Sequence, residues 1–113
     1  MPHVIIEHSD NVAAQISIED LMDAVHGASL DSGLFPEHDI KIRAIGYRLH
    51  RTGQTRDDFV HVAVHLLDGR SEAQKAGLAD AILGKIEPLL PAVASVGVEI
   101  VDIHRASYRK RVL

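Results

Sequence analysis

The chain has 113 residues, enough for one hydrophobic core and too few for two. It has no cysteine, which excludes disulfides, thiolate catalysis and Cys-ligated zinc or iron–sulfur centres, and its formal net charge of -4 argues against general nucleic-acid binding. Hydrophobic residues make up 46% with two Phe, two Tyr and no Trp, so the core must be aliphatic. No apolar run is long enough to span a bilayer and no secretion signal opens the chain, which makes the cytoplasm the expected compartment.

The chain begins Met1-Pro2-His3 and runs directly into an apolar strand. Met1 is removed from many proteins whose second residue is small. Its removal here would leave Pro2 with a free secondary amine in place of an amide. An amide nitrogen is no base; this amine is one, and desolvation and neighbouring cations would draw its pKa down toward neutrality. While Met1 stays attached, Pro2 is acylated and cannot serve.

His3 to His8 alternates as a strand, with His3, Ile5 and Glu7 on one side and Val4, Ile6 and His8 on the other, and Ser9-Asp10-Asn11 reads as a turn. Ser17 is placed to cap a helix in which Ile18, Leu21, Met22 and Val25 recur at helical spacing, and Gly33 and Pro36 stop it. Asp39 to Leu49 alternates as a second strand. His50 to Asp58 is polar, contains Gly53 and reads as a connecting loop. Phe59 to Leu67 is a third strand, with Val60, Val62, Val64 and Leu66 forming one aliphatic face. Asp68-Gly69-Arg70 turns the chain, Ser71 caps a second helix that Pro88 and Pro91 terminate, and Val96 to Ile103 forms the last strand.

The pattern strand–helix–strand thus occurs twice, about 2–50 and 58–104, followed by a basic tail at 105–113. Each unit joins two parallel strands by a right-handed crossover helix. The expected architecture is α+β: one domain with a four-stranded mixed sheet and both helices on one face. The other face carries apolar side chains with no layer of its own, so copies are expected to associate through it. The eight histidines suggest no metal site: His61 and His65 share a strand face but are separated by about 13 Å along it, too far to bind one ion. Arg105, Arg109, Lys110 and Arg111 of the tail read as a solvated terminus, with reach into a neighbouring subunit's site as the alternative.

The segment Leu66-Leu67-Asp68-Gly69-Arg70-Ser71-Glu72-Ala73-Gln74-Lys75 resembles the Gly-Arg-Ser turn and Gln-Lys helix start of the tautomerase superfamily, which also uses an amino-terminal proline. Taken with Pro2-His3, Glu7, Ser9-Asp10-Asn11, Gly33 through Pro36 and Phe59-Val60-His61, the chain over residues 2 to 103 resembles the 5-carboxymethyl-2-hydroxymuconate isomerases. The resemblance implies a trimer, a reaction without metal or organic cofactor, and a small polycarboxylate substrate from aromatic (homoprotocatechuate) degradation. It implies Pro2 as the base that shuttles a proton and Arg70 as the second catalytic group. The family's other arginine falls on Lys41, with Arg43 two residues on. Lysine keeps the charge but lacks the planar two-pronged donor, so Lys41 suffices, Arg43 replaces it, or the substrate differs. Phe35 is expected to line the pocket and His3 to adjoin the base. Two alternatives stand beside this reading: a trimeric binding or structural protein on the same scaffold, and a related enzyme such as a dehalogenase or decarboxylase.

Overall fold

In the computed structural model, which describes residues 1–113, strand β1 (His3–Ser9) buries Val4, Ile6 and His8 and leaves His3, Ile5 and Glu7 half-covered. The alternation foreseen for this segment therefore has a full core on one side only. The remaining strands are β2 (Lys41–Tyr47), β3 (Phe59–Leu67) and β4 (Ser95–Ile103), and the helices are α1 (Ile18–Asp31) and α2 (Glu72–Ile86). The sheet order is β2-β1-β3-β4, with β1 parallel to β2, β3 parallel to β4, and the two pairs joined antiparallel through β1 and β3.

Each helix starts where its serine satisfies an otherwise free backbone donor. Ser17 Oγ accepts from the Asp20 N–H at 3.4 Å. At α2 the arrangement is reciprocal: Ser71 Oγ accepts from the Gln74 N–H at 3.1 Å, and the Gln74 side chain accepts from the Ser71 N–H at 2.9 Å. Residues four apart then form the buried stripes, Leu21 and Val25 on α1, and Leu78, Ile82 and Ile86 on α2. They pack on Val4, Ile6, Val60, Val62, Val64 and Leu66, all 1% exposed or less. Each such side chain contributes about 1.5–3 kcal/mol by leaving water.

Two segments differ from the sequence expectation. Ser9-Asp10-Asn11 is more than a turn: Asp10–Ala14 winds into a 3-10 helix that buries Val12 in the core. The second strand is shorter than Asp39–Leu49 because Pro36, at φ -65°, leads into a 3-10 turn over Glu37–Asp39, and Arg48 to Leu49 have left the ladder.

Pairing register decides where the chemistry gathers. His3 lies opposite Lys41 on β2 and opposite His65 on β3, while Leu67 at the end of β3 lies opposite Ile103 at the end of β4. The start of β1, the start of β2, the end of β3 and the end of β4 therefore meet at one edge of the sheet. Two glycines turn the chain there, Gly33 at φ 72° and Gly69 at φ 113°, values that side-chain-bearing residues rarely adopt. The first delivers Leu34 and Phe35 to this edge; the second delivers Arg70.

The face away from the helices carries Ile5, Ile45, Tyr47, Ala63, Val101 and Ile103 among His3, Glu7, Arg43, His61 and Glu99. Ile45 is 52% exposed. No element of the chain covers this face.

Candidate active site at the proline end of the sheet

A cavity of about 180 Å³ opens at this edge, walled by Met1, Leu34, Phe35, Pro36, Asp39, Leu67, Arg70, Arg105 and Lys110. Pro2 is buried immediately behind Met1, and its carbonyl accepts the backbone N–H of Lys41 at 3.1 Å, which holds the terminus against the start of β2. The Met1 amine donates to the Asp39 carbonyl at 3.3 Å. Burial lowers the pKa of that amine below its ordinary value; the positive charges of Lys41 and Lys110 lower it further, and the Asp39 carboxylate opposes them. The Met1 nitrogen is thus easier to deprotonate than in water.

Arg70 points into the same space. Its Nη2 donates to the Leu34 carbonyl at 2.8 Å and its guanidinium sits 5.7 Å from the centre of the buried Phe35 ring. Phe35 thereby acts as an apolar wall and as a platform that orients the cation. Both residues come from the turns that follow Gly33 and Gly69, so the glycine-dependent conformations and the site geometry are one feature.

Lys41 and Arg43 separate. Lys41 Nζ donates to the Asp39 carbonyl at 3.3 Å and stays close enough to the terminal amine to act on it. Arg43 turns to His3 instead: its Nη1 lies 3.2 Å from His3 Nδ1, and His3 Nε2 lies 3.3 Å from the Tyr108 hydroxyl. Arginine only donates, so Nδ1 must accept and the proton of the neutral ring sits on Nε2, directed at the Tyr108 oxygen. Burial lowers the His3 pKa first, then the charges of Arg43, Lys41 and the amino terminus, with His65 a lesser cause. His3 and Arg43 form a neighbouring polar cluster, and neither they nor Lys41 wall the cavity.

The tail adds to the sequence expectation. Arg105 and Lys110 are solvent-exposed as expected of a terminus, and they also form part of the cavity wall. Arg105 is anchored by donating through Nη2 to the Asp68 carbonyl at 3.0 Å, with its Nε 3.7 Å from the Asp68 carboxylate. The only sequence signal for this was the run of basic residues itself; the register that ends β4 beside β3 brings it back. His61, read as a polar residue of a core or interface, lies on the uncovered face with Nε2 2.7 Å from the Glu99 carboxylate.

An acidified buried amine, an arginine held over an aromatic ring and further cations around one small cavity suit an anionic substrate and the movement of a proton. The sequence over residues 2–104 matches the family model of 5-carboxymethyl-2-hydroxymuconate isomerase. The fold is similar to that of a 5-carboxymethyl-2-hydroxymuconate isomerase from Deinococcus radiodurans R1, with a TM-score of 0.87 and 25% identity over 97% of this chain and 88% of that one. It is also similar to a 5-carboxymethyl-2-hydroxymuconate delta-isomerase (TM-score 0.77, 21% identity, 99% of this chain and 88% of that one). A third similar structure is a fused 4-OT asymmetric trimer (TM-score 0.79, 19% identity, 96% of this chain and 91% of that one). No curated protein matches the sequence. The chain belongs to the 5-carboxymethyl-2-hydroxymuconate isomerase family and is an isomerase of the tautomerase superfamily.

Proposed function

We propose that the mature protein carries Pro2 as its first residue and uses that amine to convert 5-carboxymethyl-2-hydroxymuconate, or a similar unsaturated polycarboxylate dienol, to its keto isomer. What supports this is the place of the terminus: Met1, whose own amine has its pKa lowered by desolvation and by Lys41, lines a cavity also walled by Arg70, and Pro2 is buried directly behind it. Loss of Met1 would expose the Pro2 nitrogen and vacate the volume of a side chain that is now only 7% exposed.

In the reaction the unprotonated amine takes the proton of the enol hydroxyl, breaking O–H and forming N–H. The electron pair moves through the conjugated chain to make the carbonyl. The ammonium then gives the same proton to the far carbon, forming C–H and restoring the base. Negative charge grows on the dienolate oxygen between these steps. Arg70 stabilises it, and Lys41 both binds a carboxylate and keeps the amine's pKa low. Phe35 packs against the conjugated chain, while His3 and Arg43 stand beside the site as a polar cluster outside the cavity wall. No metal or organic cofactor enters these steps.

The working form is proposed to be a homotrimer in the cytoplasm, joined through the uncovered face of the sheet. Ile45, exposed on edge strand β2, with Ile5 on β1 and Val101 and Ile103 on β4 of the same face, supplies the apolar surface such an assembly would bury. The fused 4-OT structures of similar fold are trimers by description.

Turnover by the Pro2→Ala variant tests the reading. Ketonisation of the dienol should fall by at least about 10²-fold, as expected when a positioned general base is lost, with little change in melting temperature. Unchanged turnover would remove Pro2 from the mechanism. Turnover of a 3-haloacrylate in place of every dienol would select a dehalogenase instead.

A further inference from the structure

The isomerase family match ends at residue 104, and the chain continues for nine residues that return to the cavity. Two attachments bring them back. On one side Arg105 is bound to Asp68: its backbone N–H donates to a carboxylate oxygen at 3.3 Å and its Nη2 to the carbonyl at 3.0 Å. On the other, the Tyr108 hydroxyl meets His3 Nε2 at 3.3 Å. Between and beyond them, Ser107 Oγ meets His104 Nδ1 at 2.7 Å, and the Arg109 guanidinium donates to the Ala106 and Tyr108 carbonyls at 2.9 and 3.0 Å. The segment is therefore fixed, and Lys110 forms part of the cavity wall.

The three basic side chains of that wall differ in how far they are already engaged. Arg105 is offset by the Asp68 carboxylate. Arg70 spends one donor on the Leu34 carbonyl. Lys110 makes no ion pair and no hydrogen bond, and the remaining acid of the wall, Asp39, lies 3.7 Å from His38 Nε2. A lysine ammonium has three donors. In a shared cavity it favours a second anion beyond the one that Arg70 takes.

We propose that Lys110 is a specificity-determining residue that binds a carboxylate of the substrate remote from the reacting end, so that the C-terminal segment selects substrates with two or more carboxylates over those with one. Arg105 positions the segment. This rests on the isomerase reading for the identity of the substrate, and deepens it by assigning the polycarboxylate preference to the tail.

Isothermal titration calorimetry with benzene-1,2,4-tricarboxylate and with benzoate, on the wild type and on Lys110→Ala and Lys110→Arg, tests it. The alanine variant should lose about tenfold in affinity for the tricarboxylate, the size of one charged hydrogen bond, and less than about twofold for benzoate; the arginine variant should keep the wild-type ratio. Equal losses for both anions, no loss for the tricarboxylate, or a wild type that binds neither would overturn the proposal. Dienol turnover is read separately. A wild type that discriminates through Lys110 but turns over no dienol would sink the isomerase reading and leave this one standing.

Discussion

Replacing Arg70 by alanine separates what this residue does for the fold from what it does for the reaction. Three interactions disappear together: the hydrogen bond to the Leu34 carbonyl, the stacking over Phe35, and the positive charge on the cavity wall. The first two are structural. A hydrogen bond from a charged group contributes about 1.5–3 kcal/mol when buried and cation–π contact about 0.5–1 kcal/mol at an open site. Arg70 is half-exposed, so solvent replaces part of both, and a stability loss of about 1–2 kcal/mol follows. For a domain of this length that is a fall in melting temperature of roughly 5–10 °C. In the proposed reaction the third acts on the transition state. Removing one well-placed electrostatic donor costs about 10²–10³ in kcat, or 2.7–4 kcal/mol. Steady-state kinetics of dienol ketonisation, followed by ultraviolet absorbance well below the variant's melting temperature, should show that loss. Lysine at this position would keep the charge and lose the paired donors, so Arg70→Lys should fall between the two. A variant that melts early yet keeps kcat within about twofold would show Arg70 to be a strap between two turns and nothing more, contrary to the electrostatic argument.

Two further outcomes follow from the same geometry. The lowered pKa of His3 means that the unfolded chain takes up a proton near pH 6.5 while the folded chain still resists it. Its contribution to stability is thus intact above about pH 6.5 and falls as the pH drops from there toward the folded-state value; denaturant melts should show this, and His3→Gln should flatten that part of the profile, whereas an unchanged profile would reject the lowered pKa of His3. Ser71→Ala removes one half of the reciprocal cap of α2 and should lower stability by about 0.5–2 kcal/mol, read as a shifted urea midpoint with unchanged slope.

Much of the fold was legible because local signals agreed with one another. Val60, Val62, Val64 and Leu66 alternate without interruption and form the central buried strand, and Ser71 with Gln74 marks the start of α2 at the residue where the cap is found. The uncovered sheet face was legible too, since Ile45 and Ile103 leave an apolar surface that two helices on the other side cannot reach. What escaped depends on contacts between distant segments. Arg43 and Lys41 share a strand face and are alike in sequence terms; only the register of β1 against β2, and the presence of Tyr108, decides that Arg43 turns to His3. Val12 draws Asp10–Ala14 into a helix that a polar Ser-Asp-Asn string does not announce. The basic tail carries no periodicity, and its place in the cavity wall follows from Asp68 holding Arg105. The candidate site was visible as separate residues, therefore, but its assembly at one sheet edge is a product of strand order.

Everything in the proposed chemistry requires a free and largely unprotonated nitrogen on Pro2. The direct measurement is peptide mass mapping of the purified native protein after exposure at neutral pH to 2-oxo-3-pentynoate, the compound with which a protein of similar fold (TM-score 0.82, 18% identity) was inactivated. An N-terminal peptide that begins at Pro2 and carries the added mass on that residue, with activity lost in proportion, is the predicted result. A peptide that still begins at Met1, or a free Pro2 left unmodified while the dienol is turned over, would contradict the account.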